Sequence, residues 1–207
     1  MLRKILICVC LSALVALSQA QAHSPSQHQQ NPVPDNEQAD SPSSVVNLKV
    51  PDLELLNQDG EKGRFMSDFI GDRLAAVTFT YTTCTTACPI LDGIFKQVQA
   101  RLGDKLGKDV ILVTLSIDPV TDIPQRLKAH AQKIEARPGW SFLTGKKQAV
   151  NRILKALEVY SSDIFNHPPT VFIVDGQQEL WTRVNGYPST SKVMKELDRF
   201  DGARAQN

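Results

Sequence analysis

Two apolar runs, Leu74 to Thr80 and Val110 to Ile117, leave this chain few ways to fold. Each has the length of a strand and neither alternates with polar residues, so a strand formed there has to be covered on both faces. Between them, Ile90 to Leu102 repeats apolar residues at helical spacing, with Phe95, Val98 and Leu102 as core candidates. A strand, a helix and a second fully buried strand are the parts of a βαβ unit whose sheet lies between layers of helix.

The flanking sequence extends this unit. Leu53 to Leu56 and Gly63 to Met66, separated by Asn57-Gln58-Asp59-Gly60, predict an N-terminal β-hairpin with an Asp-Gly turn. After Asp118-Pro119 a helix is expected from Pro124, a favoured first-turn residue, to a point before Pro138, and another from about Lys146 to Leu157. Thr170 to Val174 reads as a strand closed by Asp175-Gly176, with Glu179 to Val184 returning beside it. Ser189 is placed to cap a terminal helix reaching about Phe200. The order is that of an α/β thioredoxin-like sandwich with an N-terminal β-hairpin and a helical insertion. Trp140 and Trp181 are expected to pack in its core.

The chain begins like a secretory signal peptide. Arg3 and Lys4 precede the apolar run Ile5 to Leu17, and Ala20-Gln21-Ala22 offers a small-x-small cleavage site. The run falls short of the roughly 20 residues that span a membrane, so the leader is expected to be cut after Ala22, with an uncleaved membrane anchor as the lesser alternative. Residues 23–44 are rich in Ser, Pro, Gln, Asn and Asp and read as a disordered tether, in which His23 and His28 are expected to be solvated and idle. The expected division is a signal peptide over 1–22, the tether over 23–44, one domain over 45–203 and a short tail over 204–207. Lys and Arg number 23 and Asp and Glu 22, and no basic stripe suggests nucleic acid.

Of the four cysteines, Cys8 and Cys10 lie in the leader, which leaves Cys84 and Cys88 in the sequence Phe79-Thr80-Tyr81-Thr82-Thr83-Cys84-Thr85-Thr86-Ala87-Cys88-Pro89. They fall where the first apolar strand hands over to the helix. A helix N-terminus favours thiolate over thiol, and side chains four residues apart share a face. A static disulfide across so short a loop would constrain the unfolded chain by only about 2 kcal/mol, against nearly 5 for a loop of a hundred residues. The placement therefore favours a metal-binding or redox-active pair. Export puts that pair in an oxidising compartment, where a disulfide bond is readily formed.

Two sulfurs suit Cu(I), or Zn(II) when four ligands are present, but a third ligand must come from elsewhere. His130 lies in the middle of a predicted helix and reads as an ordinary helix residue. His167 precedes Pro168-Pro169 and the strand from Thr170, and in a thioredoxin-like sandwich that loop faces the cysteines across the end of the sheet. A cis bond at either proline would turn the loop further toward them. A peroxidase reading finds no arginine near Cys84 in sequence.

Cys84-x-x-x-Cys88-Pro89, Ser116-Ile117-Asp118-Pro119-x-x-Asp122-x-Pro124, Leu143-Thr144-Gly145 and His167 eight residues before Asp175 together resemble the Sco/SenC family over about residues 48–200. The resemblance implies a thioredoxin fold and copper bound by Cys84, Cys88 and His167. It implies a periplasmic chaperone for the CuA site of cytochrome c oxidase, whose copper-bearing subunit, or another periplasmic thiol protein, would be the partner. Asp118 and Asp122 match the family's acidic motif and are expected to support the site. Thr85-Thr86 stand where the family commonly has Pro-Asp, and Pro168 where it has Ser or Thr. The alternative is a thiol-disulfide oxidoreductase in which Cys84 attacks and Cys88 resolves.

Overall fold

The computed structural model describes residues 41–206, so the predicted leader and nearly all of the predicted tether lie outside the described residues. In chain order the strands are β1 (Ser43–Val46), β2 (Glu54–Leu56), β3 (Lys62–Arg64), β4 (Leu74–Thr80), β5 (Val110–Ser116), β6 (Trp140–Leu143), β7 (Thr170–Asp175) and β8 (Leu180–Asn185). The helices are α1 (Ala87–Leu102), α2 (Pro124–Lys133), α3 (Lys147–Ala156) and α4 (Thr190–Arg204).

Six strands form one sheet in the order β1-β8-β7-β4-β5-β6. β4 is its middle, parallel to β5 from Leu74↔Val110 to Thr80↔Ser116 and antiparallel to β7. Every residue of β4, β5 and β7 is buried, which is why their sequences show no polar alternation. Their side chains still alternate between two cores. Leu74 and Ala76 join Leu91, Ile94, Phe95 and Val98 of α1 and Val193, Leu197 and Phe200 of α4 on one face. Ala75, Val77 and Phe79 join Val150, Ile153 and Leu154 of α3, with Leu55 and Phe65, on the other. This two-residue alternation, applied at the end of β4, decides which layer each group at the site meets.

Four features differ from the sequence reading. The second arm of the hairpin is only Lys62–Arg64, and Phe65–Ile70 winds into a helical turn because Asp52 accepts the backbone N–H groups of Met66 and Ser67 at 2.9 and 3.2 Å. The stretch between α2 and α3 is not purely helical. It contains β6, which extends the sheet beside β5 and buries Trp140, whose Nε1 donates to Thr114 Oγ1 at 2.9 Å. β1 begins at Ser43, inside the segment whose polar composition suggested a tether, since backbone pairing with β8 asks nothing apolar of Ser43 or Ser44. Finally, α4 continues past Phe200 to Arg204, held by the ion pair of Arg204 with buried Asp175. Its start is as predicted: Ser189 Oγ accepts the Lys192 N–H at 3.0 Å, a cap worth about 1 kcal/mol.

Candidate functional site

β4 ends at Thr80, and α1 begins seven residues later at Ala87. The loop between them folds back on itself as the Cys84 N–H donates to the Tyr81 carbonyl at 2.9 Å. Thr86 stands at the N-cap without offering its side chain to the helix. The Cys84 sulfur takes that part, accepting the Cys88 N–H at 3.3 Å, so it sits on the positive end of α1. Both thiols are free, Cys84 half-buried and Cys88 buried.

Their acidities diverge. Burial raises the Cys84 thiol, but hydrogen bonds from the Cys88 side chain and backbone, the Thr86 backbone and the Tyr81 side chain outweigh it and bring it to about 7. Cys88 is pushed up to about 12, chiefly by burial and then by its hydrogen bond to Cys84, against which the Tyr81 backbone and Thr80 side chain act weakly. As pH rises through about 7 the pair therefore places its first thiolate on the accessible Cys84 sulfur, while Cys88 stays a thiol beside it.

Asp122 holds the loop in place. It is fully buried, and it accepts the Thr82 backbone N–H at 3.1 Å, the Thr82 hydroxyl at 2.6 Å and the Ser116 hydroxyl at 2.6 Å. One carboxylate thus ties the end of β5 and the approach to α2 to the residue two before Cys84. Asp118 closes its own turn, its carbonyl accepting the Thr121 and Asp122 N–H groups at 3.1 and 2.9 Å. Asp122 bonds directly to the cysteine loop, whereas Asp118 shapes the turn that leads into Asp122.

His167 packs against Phe79, ring centroids 5.4 Å apart, and Phe79 belongs to the α3 side of the sheet. Burial lowers its pKa, so the imidazole is neutral at pH 7, and its Nε2 is buried with no hydrogen-bond partner. The ring also borders a cavity of about 120 Å³ that Asp118, Val120, Tyr160 and Ile164 help to line. All described peptide bonds are trans, so neither proline supplies a cis turn. Instead the Pro169 carbonyl accepts the Gly186 N–H at 2.9 Å and the chain runs straight into β7.

The two cysteines meet, and Asp122 braces their loop. Among the described residues, no group of three or more His, Cys, Asp and Glu side chains is arranged to hold a metal ion, so His167 is not grouped with the sulfurs in this conformation. His130 is a structural residue: its Nε2 lies 3.0 Å from Asp92 Oδ2, linking α2 to α1. Sequence reasoning missed Tyr81, Thr82 and Ser116. Ser116 opens the Ser-Ile-Asp-Pro motif and Tyr81 and Thr82 belong to the cysteine segment, but none of the three carries a spacing signal of its own.

A mixed sheet between two helical layers, with a free, unequally acidic dithiol at the start of its first long helix, defines a thioredoxin-like protein with a cysteine-pair site. The SCO1/SenC family model matches residues 43–200, and the chain belongs to that family. It is 30% identical over 105 residues to the SCO1 protein homolog of Bacillus subtilis, covering 50% of this chain and 53% of that one. The chain spans about half the length of the curated relatives it matches first. Among solved structures, copper-bound yeast Sco1 superposes with a TM-score of 0.63 at 17% identity, covering 78% of this chain and 96% of that one. BsSco, described by its disulfide switch and as a member of the Sco family of cytochrome c oxidase assembly proteins, superposes with a TM-score of 0.60 at 21% identity, over 75% and 95%.

Proposed function

We propose that this protein is a periplasmic copper chaperone that binds copper as cargo through Cys84, Cys88 and His167 and serves assembly of the CuA site of cytochrome c oxidase. The observation that carries the reading is the pair of free sulfurs at the start of α1, in a chain of the SCO1/SenC family. Two thiolates and a neutral imidazole form a soft donor set that suits Cu(I). Support for His167 comes from its buried Nε2, which has no partner and would gain one in a ligand bond. Loading then requires the segment between Val159 and Thr170 to bring the ring to the sulfurs. Copper binding would displace the Cys88 proton, so uptake releases protons below pH 12. The copper-bearing subunit of the oxidase, or another periplasmic thiol protein, would accept the ion by displacing one ligand at a time.

Competition for Cu(I) between a chelator and the reduced protein, with Cys8 and Cys10 replaced by Ser, tests this. Cys84→Ser, Cys88→Ser and His167→Ala are each expected to weaken binding by more than about tenfold. Unchanged affinity in all three variants would refute it.

The unequal acidities favour a second reading, a thiol-disulfide oxidoreductase, and the disulfide switch of BsSco is consistent with it. The Cys84 thiolate would attack a partner disulfide, releasing one partner thiolate. Cys88, losing its proton, would then displace the second, leaving a Cys84–Cys88 disulfide and a partner reduced by two electrons. Trapping of a mixed disulfide by Cys88→Ser would support this reading, and absence of turnover with copper binding intact would exclude it.

A further inference from the structure

Large apolar side chains are exposed at seven described positions: Val45, Ile90, Val120, Ile123, Tyr160, Phe165 and Leu180. Five of them lie on three segments that adjoin the cysteine loop. Ile90 follows Cys88 by two residues. Val120 and Ile123 flank Asp122, which holds the cysteine loop. Tyr160 and Val120 border the cavity beside His167. Phe165, 79% exposed, sets its ring edge-on against Tyr81 with centroids 6.1 Å apart.

The exposure of Phe165 is built in. It sits in a helical turn capped by Asp163, whose carboxylate accepts the Phe165 N–H at 3.0 Å and the Asn166 side-chain amide at 2.8 Å, with Ser161 bonded to Asp163 in turn. A polar network of this kind fixes an aromatic ring in water, at a cost that burial against a partner would offset.

We propose that these residues form the docking rim for a partner polypeptide that presents a cysteine to Cys84 with apolar side chains beside it, one of them entering the cavity next to His167. This rests on the dithiol reading above and names the kind of partner that site takes. The chain's own N-terminal segment does not suit the rim: residues 23–40 contain Val33 as their one large apolar residue, although the chain enters β1 at the same end of the sheet, where the Asn185 N–H donates to the Pro42 carbonyl. A sulfur-bearing partner is favoured because these side chains adjoin the cysteine loop: Ile90 follows Cys88, Val120 and Ile123 flank the Asp122 that bonds Thr82, and Phe165 packs on Tyr81. A contact that covers the apolar side chains also brings the partner's chain to Cys84.

The test uses the chain with Cys8, Cys10 and Cys88 replaced by Ser and two synthetic peptides, each with one cysteine activated as a mixed disulfide with 5-thio-2-nitrobenzoate. In one peptide Leu and Met flank the cysteine; in the other, Ser. The Cys84 thiolate attacks the peptide sulfur, the new Cys84–peptide disulfide forms, and thionitrobenzoate leaves with the electron pair of the broken bond, so no outside oxidant is needed. With rates normalised to those of free cysteine, the apolar peptide is expected to react at least about tenfold faster than the polar one, the effect of burying roughly two methylene groups. Phe165→Ser and Val120→Ser, both at exposed positions, are each expected to remove most of that preference while leaving the rate with a small symmetric disulfide unchanged. Equal rates for the two peptides, or a preference that survives both substitutions, would overturn the proposal without touching copper binding. Loss of Cu(I) binding in the parent chain would strike the copper reading alone. Concentration-dependent dimerisation abolished by Phe165→Ser would assign the rim to a second copy and also overturn it.

Discussion

At the scale of single residues, the site works by making two identical side chains unlike. Cys84 accepts hydrogen bonds at a helix end, and Cys88, one turn further on, lies buried beneath it. Alkylation with iodoacetamide, mapped by mass spectrometry, should therefore rise at Cys84 through an inflection near pH 7, while Cys88 stays unreactive well into the alkaline range. The sign of the linkage follows: with a folded pKa below the unfolded value of about 8.5, the Cys84 thiolate contributes stability above pH 8.5 and loses it as pH falls through about 7. A Cys84 inflection at or above pH 8.5 would contradict the hydrogen-bond arrangement. Asp122 acts through Thr82. Asp122→Ala would leave the Thr82 and Ser116 donors without their acceptor and is expected to cost roughly 2–4 kcal/mol in chemical denaturation. It should also shift the Cys84 alkylation profile, which a merely structural loss elsewhere would not do.

At the scale of elements, close backbone approach matters as much as apolar pattern. Gly139, at φ +97°, leads into β6, and a Cβ built there would lie 2.6 Å from the Gly107 nitrogen. Gly139→Ala combines that clash with a left-handed backbone and is expected to cost about 2–3 kcal/mol, lowering Tm by roughly 4–12 °C in a scanning calorimeter. A change below about 1 °C would mean the two loops separate freely. β6 itself was not legible in advance. Its four residues are too few to display a period, and its evidence is a register, Leu112↔Trp140 to Leu115↔Leu143, that only a neighbouring strand supplies. The long buried strands and the helices between them were legible, because full burial demands continuous apolar sequence and helical packing demands a stripe.

At the scale of the whole molecule, β1 covers an edge. The strand Ser43–Val46 pairs along β8, whose other side is bonded to β7. A chain begun at residue 48 should fold around the same two cores but expose the unpaired edge of β8, and is expected to aggregate faster at equal concentration in light scattering than one begun at residue 41. Equal aggregation would show that the edge is protected by other means. The same scale contains the division between the cysteines and His167. They approach the end of the sheet from different sides, the sulfurs with α1 and the imidazole against Phe79 in the α3 layer.

What the amino-acid sequence determined by itself was the alternation of buried strands and helices, the strand-to-helix position of Cys84 and Cys88, and the capping of α4 by Ser189. Each follows from local rules of period, dipole and hydrogen bonding that act within a few residues. What the tertiary structure alone decided was the short strand at each edge of the sheet, the brace from Asp122 to Thr82, and the side of the sheet on which His167 rests. Those depend on contacts between residues far apart in the chain, whose register is set by packing two cores against one twisted sheet and is not encoded in any short stretch of sequence.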